Sequence, residues 1–263
     1  MLAIEMSYGS YGGRYVLPSR RAFNPWFPPA VKWLLIINCA IFIAYFFGVR
    51  TGYGAYFNPF WLSYAWVTQL FAVWQLVTYM FLHNPGDFQH ILWNMLGLWM
   101  FGKDLETTWG TRRFLQYYFL CGIGAGLCVL LANALFGSPG SRTIGSSGAV
   151  YGLLLAFGVL FPDAQIIFLI FPIRAKYAVI ITGVITFMLT FGATGDGVSH
   201  VAHLGGMAIG FLYLKSKYAR NIDLFSPLAR WYVNWRQQRA KRKFEVYLNK
   251  KSGSGPGRDR MIH

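Results

Sequence analysis

The chain has 263 residues, of which 55% are hydrophobic and only 13% are charged. Because a soluble domain carries about 25% charged residues, this composition excludes most soluble folds, and its hydrophobicity excludes a disordered chain. The net charge of +15 raises the question of which side of a membrane the cations occupy. We therefore predict an all-α, polytopic membrane protein. Its three cysteines lie inside apolar runs, so we expect no disulfide framework, metal site or cofactor.

Six apolar runs are candidates for membrane-spanning helices, which need about 20 mostly apolar residues each. The second run can be extended upstream through polar residues to Trp74, and the second and fourth runs are the least apolar. We number them spans 1 to 6 in chain order, and they cover residues 31–49, 88–101, 113–136, 145–161, 177–191 and 198–214.

The cations are distributed unevenly around these spans. All Lys and Arg residues except Arg50 and Arg142 lie before or at the start of span 1, between span 2 and the first residue of span 3, between spans 4 and 5, or after span 6. Lys32 is counted with the N-terminal arm and Arg113 with the loop after span 2. Lys103 belongs to the predicted loop after span 2. Since cytoplasmic loops are enriched in Lys and Arg, both termini are predicted to be cytoplasmic.

The spans divide the chain into three parts. Residues 1–30 are predicted to form a flexible basic cytosolic arm without a signal peptide, residues 31–215 the membrane domain, and residues 216–263 a basic cytosolic tail. Apolar side chains at helical spacing after Ser226 and Pro227 predict an amphipathic helix near residues 227–248. We expect it to contact the anionic inner leaflet. The alternative is a ribosome or nucleic acid, but without a nucleic-acid motif no such partner is expected.

The outer loop, residues 50–73, contains eight aromatic side chains. Aromatic rings favour the headgroup region of a bilayer, so the loop is predicted to lie in the membrane interface. A packing loop outside the membrane is the alternative.

Three clusters of polar residues interrupt the apolar spans, and polar groups inside a membrane suggest function. Spans 2, 4 and 6 run in the same direction in the predicted topology, and each cluster lies near the start of its span. The clusters are therefore predicted to share one depth near the outer face. Their members are His90 and Asn94 on span 2, Ser146 and Ser147 on span 4, and His200 and His203 on span 6.

Small residues recur every four positions on spans 4 and 6, which allows two helix backbones to approach closely in lipid. Ser147 and His203 lie beside these two stripes, and a short serine side chain needs such an approach to reach a histidine. Hydroxyl and imidazole groups at hydrogen-bond distance form an activated nucleophile. The stripes are Gly148, Gly152 and Ala156 on span 4 and Ala202, Gly206 and Gly210 on span 6.

His90 and Asn94 share one helix face and offer donors for an oxyanion. Each motif alone also has a structural interpretation, in which the serines cap a helix, His203 bonds in the core, and His90 with Asn94 anchors the outer loop. His83 and His200 are interpreted as structural, although His200 is also the rival base. No acid is placed to orient the base, so the pattern predicts a dyad.

Together these residues resemble the motifs of the rhomboid family of intramembrane serine proteases. The segment from Gly145 to Gly148 resembles the family's G-x-S-G motif, and the segment from Ala202 to Gly210 resembles its A-H-x-x-G-x-x-x-G helix. His90 and Asn94 resemble its H-x-x-x-N motif. The resemblance covers about residues 31–215.

The resemblance implies a role for each matching residue. Ser147 is the nucleophile, His203 the base, and His90 and Asn94 assist the oxyanion. Tyr151 packs on the catalytic histidine, and Glu106 is a structural acid near the end of the second helix. The Trp-Arg pair found in the first outer loop of some bacterial members is missing from residues 53–66.

The resemblance also implies a six-helix bundle of the bacterial form, in a bacterial cytoplasmic (inner) membrane. The expected function is cleavage of transmembrane segments of other membrane proteins near the outer face. Span 5 is the candidate lateral gate. Two alternatives are an inactive rhomboid-like binder of membrane proteins and a small-solute transporter or channel.

Overall fold

A computed structural model describes residues 26–136, 142–168, 171–190, 197–216, 238–239 and 241. Apart from three tail positions, the predicted tail helix near 227–248 lies outside the described residues, as do residues 1–25 of the predicted arm.

Each predicted span overlaps one long helix. Five short elements lie between the first two of these helices and include helices α2 (Tyr64–Gln69) and α3 (Gln75–Thr78). The long helices are α1 (Pro29–Arg50), α4 (Phe88–Trp109), α5 (Thr111–Phe136), α6 (Ser147–Leu160), α7 (Ala175–Thr190) and α8 (Gly197–Lys215).

By length and hydropathy, two of the described helices qualify as membrane spans. They are α1 and α5, with mean hydropathy of 2.0 and 2.2 over their most apolar windows. The helices α6 and α7 are apolar but shorter.

The second long helix differs from its prediction at both ends. Extension upstream to Trp74 is wrong, because a turn at Asn84–Asp87 separates α3 from α4, and the Asp87 carboxylate accepts a hydrogen bond from the Gln89 N–H at 2.9 Å. Downstream, α4 continues through Lys103, which the sequence placed in a loop. It ends at Gly110, whose φ of +77° suits glycine.

Two small antiparallel strand pairs amend the all-α prediction. In the first, β1 (Leu62–Ser63) of the outer loop pairs with β2 (Arg142–Thr143), which precedes α6. In the second, β3 (Gln165–Phe168) pairs with β4 (Phe171–Arg174) and joins α6 to α7. At the base of this hairpin Lys176 donates to the Asp163 carboxylate at 2.9 Å, which holds the pKa of Asp163 below its usual value.

The outer loop is organised by buried Gln75. Its Oε1 accepts a hydrogen bond from the Ser63 N–H at 3.0 Å, and its Nε2 donates to the carbonyl of Pro59 at 3.1 Å. Several aromatic side chains nevertheless remain exposed, with Tyr56 at 73% and Phe71 at 78%. These rings are available for the predicted contact with the membrane interface.

The small-residue stripes lie where α6 and α8 meet. A Cβ added to Gly206 would collide with the backbone carbonyl of Gly148. A Cβ added to Gly152 would lie 2.6 Å from the sulfur of Cys121, which shows that α5 packs on the same seam. Close approach of these backbones therefore depends on the absence of side chains at these positions.

Glu106 ties α4 to the start of α1. This side chain is 1% exposed, and its two carboxylate oxygens accept hydrogen bonds from the N–H groups of Ala30 and Val31, each at 2.9 Å. Thr111 donates a third bond at 2.6 Å. The first N–H groups of a helix lack partners within the helix, and no side chain of α1 caps them, so Glu106 serves as the cap from another helix.

We predict that Glu106→Ala lowers the free energy of unfolding by about 2–4 kcal/mol, because three donors lose a buried charged acceptor. Unfolding in mixed detergent micelles, followed by tryptophan fluorescence, measures the change. Asp104→Ala on the same helix is the control. Equal losses in the two variants would show that the cap contributes nothing beyond an ordinary acidic residue.

We predict that Gly206→Ala costs about 1–3 kcal/mol, because the added methyl group meets backbone that cannot rotate away. The matched control is Gly183→Ala on α7, where the nearest atom to the new methyl is Met207 Cε at 3.5 Å, an ordinary contact. The same unfolding assay compares the two. If both variants were as stable as the parent, the backbone of Gly148 would not limit the size of residue 206.

Candidate active site

The serine and histidine clusters meet at one end of the seam between α6 and α8. Ser147 is the first residue of α6, and His203 lies in the second turn of α8. His203 Nε2 is 2.8 Å from Ser147 Oγ, within hydrogen-bond distance. The two residues that the sequence proposed as nucleophile and base are therefore in direct contact.

Tyr151 fixes the plane of the His203 ring. It follows Ser147 by one helical turn, so both side chains lie on one face of α6. The rings of Tyr151 and His203 stack with centroids 4.1 Å apart and planes 6° apart. Such stacking limits rotation of the imidazole while leaving its edge directed at the serine.

The second nitrogen of His203 has no acidic partner in the described part of the chain. Its Nδ1 is buried and no described residue forms a hydrogen bond with it. Within these residues the arrangement contains a serine and a histidine without a carboxylate to orient the ring.

His200 contacts the ring of His203. The two histidine rings meet edge to face with centroids 6.1 Å apart, and it is His203 that forms the hydrogen bond with Ser147. The geometry therefore favours His203 as the base between the two candidates.

His90 and Asn94 border the same site from α4. Asn94 Nδ2 donates to the carbonyl of His90 at 2.7 Å, and its Oδ1 accepts from Ser146 Oγ at 3.2 Å. The Asn84 N–H donates to His90 Nδ1 at 3.3 Å. Since Nδ1 acts as an acceptor, the neutral ring carries its proton on Nε2.

Gly145 lets this imidazole approach the start of α6. Its φ is +117°, and a Cβ there would lie 2.6 Å from His90 Nε2. Its N–H donates to the carbonyl of Tyr79 at 2.9 Å, which fixes the loop before Ser147. Gly148, also in the matched motif, faces Ala125 and Ala202 across the helix seam.

His83 contributes to the site more closely than the sequence indicated. Its Nε2 lies 3.4 Å from Ser146 Oγ, and its ring is 5.1 Å from that of His90. Burial lowers the pKa of His83 to about 3, so the ring is neutral at pH 7. Ser146, rather than Ser147, therefore belongs to a buried network with His83 and Asn94. Residue spacing offered no signal for this role, because His83 lies in the turn between α3 and α4.

Glu106 lies outside this site. It is near the opposite end of α4 from His90, about 24 Å away along the helix axis. Its bonds to α1 give it the structural position that the resemblance implied.

A cavity of about 800 Å³ opens onto the serine and histidine. Water needs about 30 Å³ per molecule in the liquid, so the cavity can hold both water and part of a polypeptide. Its wall joins α4, the β2 segment, α6 and α8, and includes His90, Asn94, Arg142, Ser147, Tyr151 and His203.

Comparison with known proteins identifies the family. A family model described as Rhomboid domain matches residues 70–219, more than half of the chain. Over 132 residues the chain is 34% identical to "Rhomboid protein 1, mitochondrial" of Saccharomyces cerevisiae, covering 48% of this chain and 37% of that protein.

Some relatives are named as proteases, among them two that match over more than half of this chain. The chain is 30% identical to "Putative rhomboid protease YdcA" of Bacillus subtilis, over 53% of this chain and 64% of that protein. It is 28% identical to "Rhomboid-like protease 3" of Toxoplasma gondii, over 65% and 60%. In all three comparisons the match spans less than two thirds of the relative's own length. The chain belongs to the rhomboid family.

Proposed function

We propose that this chain is a serine endopeptidase that cleaves transmembrane segments of other membrane proteins near the outer face of the membrane. The observation that carries the proposal is the 2.8 Å contact between His203 Nε2 and Ser147 Oγ at the wall of a large cavity. A protease needs a nucleophile, a base and room for water, and all three meet there.

The proposed reaction has two steps. His203 accepts the proton of Ser147 while the serine oxygen attacks a peptide carbonyl, and the protonated histidine then donates to the departing amine. This leaves an acyl ester on Ser147. Water from the cavity, deprotonated by His203, then attacks the ester, and His203 returns that proton to the departing Ser147 oxygen as the carboxyl product is released.

Donors for the oxyanion surround the attacking oxygen. The start of α6 provides N–H groups without helical partners and a positive dipole. His90 Nε2 carries a proton beside Gly145, and Asn94 Nδ2 retains one N–H beyond the bond to His90. Aligned donors of this kind contribute about 10²–10³ each to the rate.

The length of α6 supports a site below the membrane surface. Its 14 residues extend about 21 Å, less than the hydrocarbon thickness of about 30 Å. With six spans and both termini cytoplasmic, in a bacterial cytoplasmic membrane, the start of α6 would lie beneath the outer surface. The cavity then supplies the water that the lipid lacks.

The substrate must unwind before it is cleaved, because a helix keeps its carbonyls in hydrogen bonds. Small or helix-breaking residues are therefore expected near the cut. We assign lateral entry to α7, which presents bulky apolar side chains outward. Phe187 is 56% exposed and Met188 69%.

We predict that Ser147→Ala and His203→Ala each reduce cleavage of a single-span test substrate by at least about 10³-fold, because the nucleophile or its base is lost. His200→Ala should retain most activity. Cleavage in proteoliposomes and labelling by a fluorophosphonate measure the two properties separately. Undiminished cleavage by Ser147→Ala would contradict the protease assignment, and loss with His200→Ala alone would move the base.

Labelling separates an enzyme from an inactive binding protein of the same fold. An activated serine reacts with the fluorophosphonate in the parent chain and does not in Ser147→Ala. A parent chain that binds membrane proteins but neither reacts nor cleaves would be an inactive relative.

We predict that Asn94→Ala lowers kcat by about 10²-fold, because an oxyanion donor is removed. The free energy of unfolding should fall less, by about 1–2 kcal/mol, since Ser146 loses its acceptor. Turnover and unfolding are measured on the same preparation. If Asn94→Ala strongly destabilises the chain while the molecules that stay folded keep the kcat of the parent, Asn94 anchors the outer loop and does not bind the oxyanion.

A further inference from the structure

Arg142 is a cation at the mouth of the catalytic cavity. It belongs to β2, where it lies opposite Ser63 of β1, and it is five residues before Ser147. Its guanidinium lies over the ring of Trp61 at 5.0 Å, and the residue is exposed. The outer loop and the segment before α6 thus build a Trp–Arg pair from two separate parts of the chain.

No acidic side chain of the described residues neutralises Arg142. Asp87 is the one carboxylate in the cavity wall, and it accepts the Gln89 N–H at the start of α4. Within the described residues, the ion pairs of arginine and lysine are those of Arg174 and Lys176 with Asp163, next to the β3–β4 hairpin. The guanidinium is therefore held by backbone pairing and by an aromatic face, with its charge available.

This mode of holding suits recognition of a carboxylate. The contact with the Trp61 ring is a cation–π contact, which uses none of the five N–H donors of the guanidinium. Two of those donors can bind a carboxylate through parallel hydrogen bonds. Because Arg142 is exposed at a cavity that can hold water, such a pair is worth only about as much as one at a protein surface.

We propose that Arg142 determines substrate specificity by binding an acidic side chain of the substrate polypeptide. The inference rests on the proposed function. A substrate that lies extended along β2, with its cleaved bond at Ser147, advances about 3.3 Å per residue, as β2 itself does. Arg142 precedes Ser147 by five residues. The acidic residue would therefore lie within about six residues of the cleaved bond.

A lipid phosphate is the competing ligand for an outer cation. Two features favour the substrate. Arg142 lines the same cavity as Ser147 and His203, and its strand leads directly to the nucleophile. Arg50, the other cation predicted on the outer side, instead covers Phe46 at 3.6 Å at the end of α1 and is absent from the cavity wall.

The test uses a panel of single-span substrates in proteoliposomes of zwitterionic lipid, and a second series in which anionic lipid is added. Each substrate carries one Asp, Asn or Lys at a position up to about six residues on either side of the cut. At one position or two neighbouring positions, the parent chain should cleave the Asp substrate with kcat/KM about two to five times that of the Asn substrate, the range of an exposed ion pair. The gain should appear in KM, because the pair forms equally in the bound substrate and the transition state.

Variants of Arg142 assign this preference to its charge. In Arg142→Gln the Asp:Asn ratio should fall to about 1, in Arg142→Lys it should partly remain, and in Arg142→Glu the Lys substrate should become the preferred one. Ratios measured within one variant cancel changes in folded fraction or overall rate. Arg50→Gln is the matched control and should keep the ratio of the parent chain.

Three results would overturn the inference. They are equal cleavage of Asp and Asn substrates at every position by the parent chain, a preference that survives in Arg142→Gln, and a dependence on anionic lipid that Arg142→Gln removes while substrate charge has no effect. The last result would assign Arg142 to a lipid headgroup. Failure of the proposed function is distinct, because the parent chain would then cleave no substrate of the panel.

Discussion

The contact between the backbones of α6 and α8 is the constraint on which the remaining structure depends. Gly206 meets the carbonyl of Gly148 with no room for a methyl group, and one turn away His203 reaches Ser147 at 2.8 Å. In a serine side chain only Cβ separates the backbone from Oγ, so the histidine must approach the backbone of α6 closely to form the hydrogen bond. Lipid supplies no hydrophobic force to drive helices together, and such a seam instead relies on van der Waals packing of small residues.

Around this seam, uncharged polar groups support one another in a shell behind the reactive pair. Ser146 joins Asn94 and His83, Asn94 also binds the carbonyl of His90, and the Asn84 N–H orients the His90 ring. Polar groups buried without partners cost free energy, and here most of them satisfy each other. The same hydrogen bonds stabilise the fold and determine which donors face the cavity.

Glu106 and Arg142 are two charged side chains of the described residues with very different surroundings. Glu106 places its carboxylate on the open N–H groups of α1 at the end of α4 far from the cavity. Arg142 is held over Trp61 at the cavity mouth. The carboxylate of Glu106 accepts three hydrogen bonds from the protein. The guanidinium of Arg142 contacts an aromatic ring and keeps its N–H donors for a ligand. The contrast between Glu106 and Arg142 is the physical basis for giving them different roles.

Much of the arrangement follows from the amino-acid sequence alone. Hydropathy predicts the helices, and the sequence motifs predict the family. The four-residue stripes of small residues predict that the helices of Ser147 and His203 approach closely. All of these signals can be read along single segments of the chain. The turn at Asn84–Asp87, the extension of α4 past Lys103, the strand pairs, the His83–Ser146 contact and the Trp61–Arg142 pair could not be predicted in this way. The strand pairs and the two side-chain contacts join residues that are distant in the chain. The turn and the extension of α4 depend on local turn and capping energies, which hydropathy does not describe. Only the packed structure decides them, since a residue's partners across the fold are set by the positions of whole helices rather than by its neighbours in sequence.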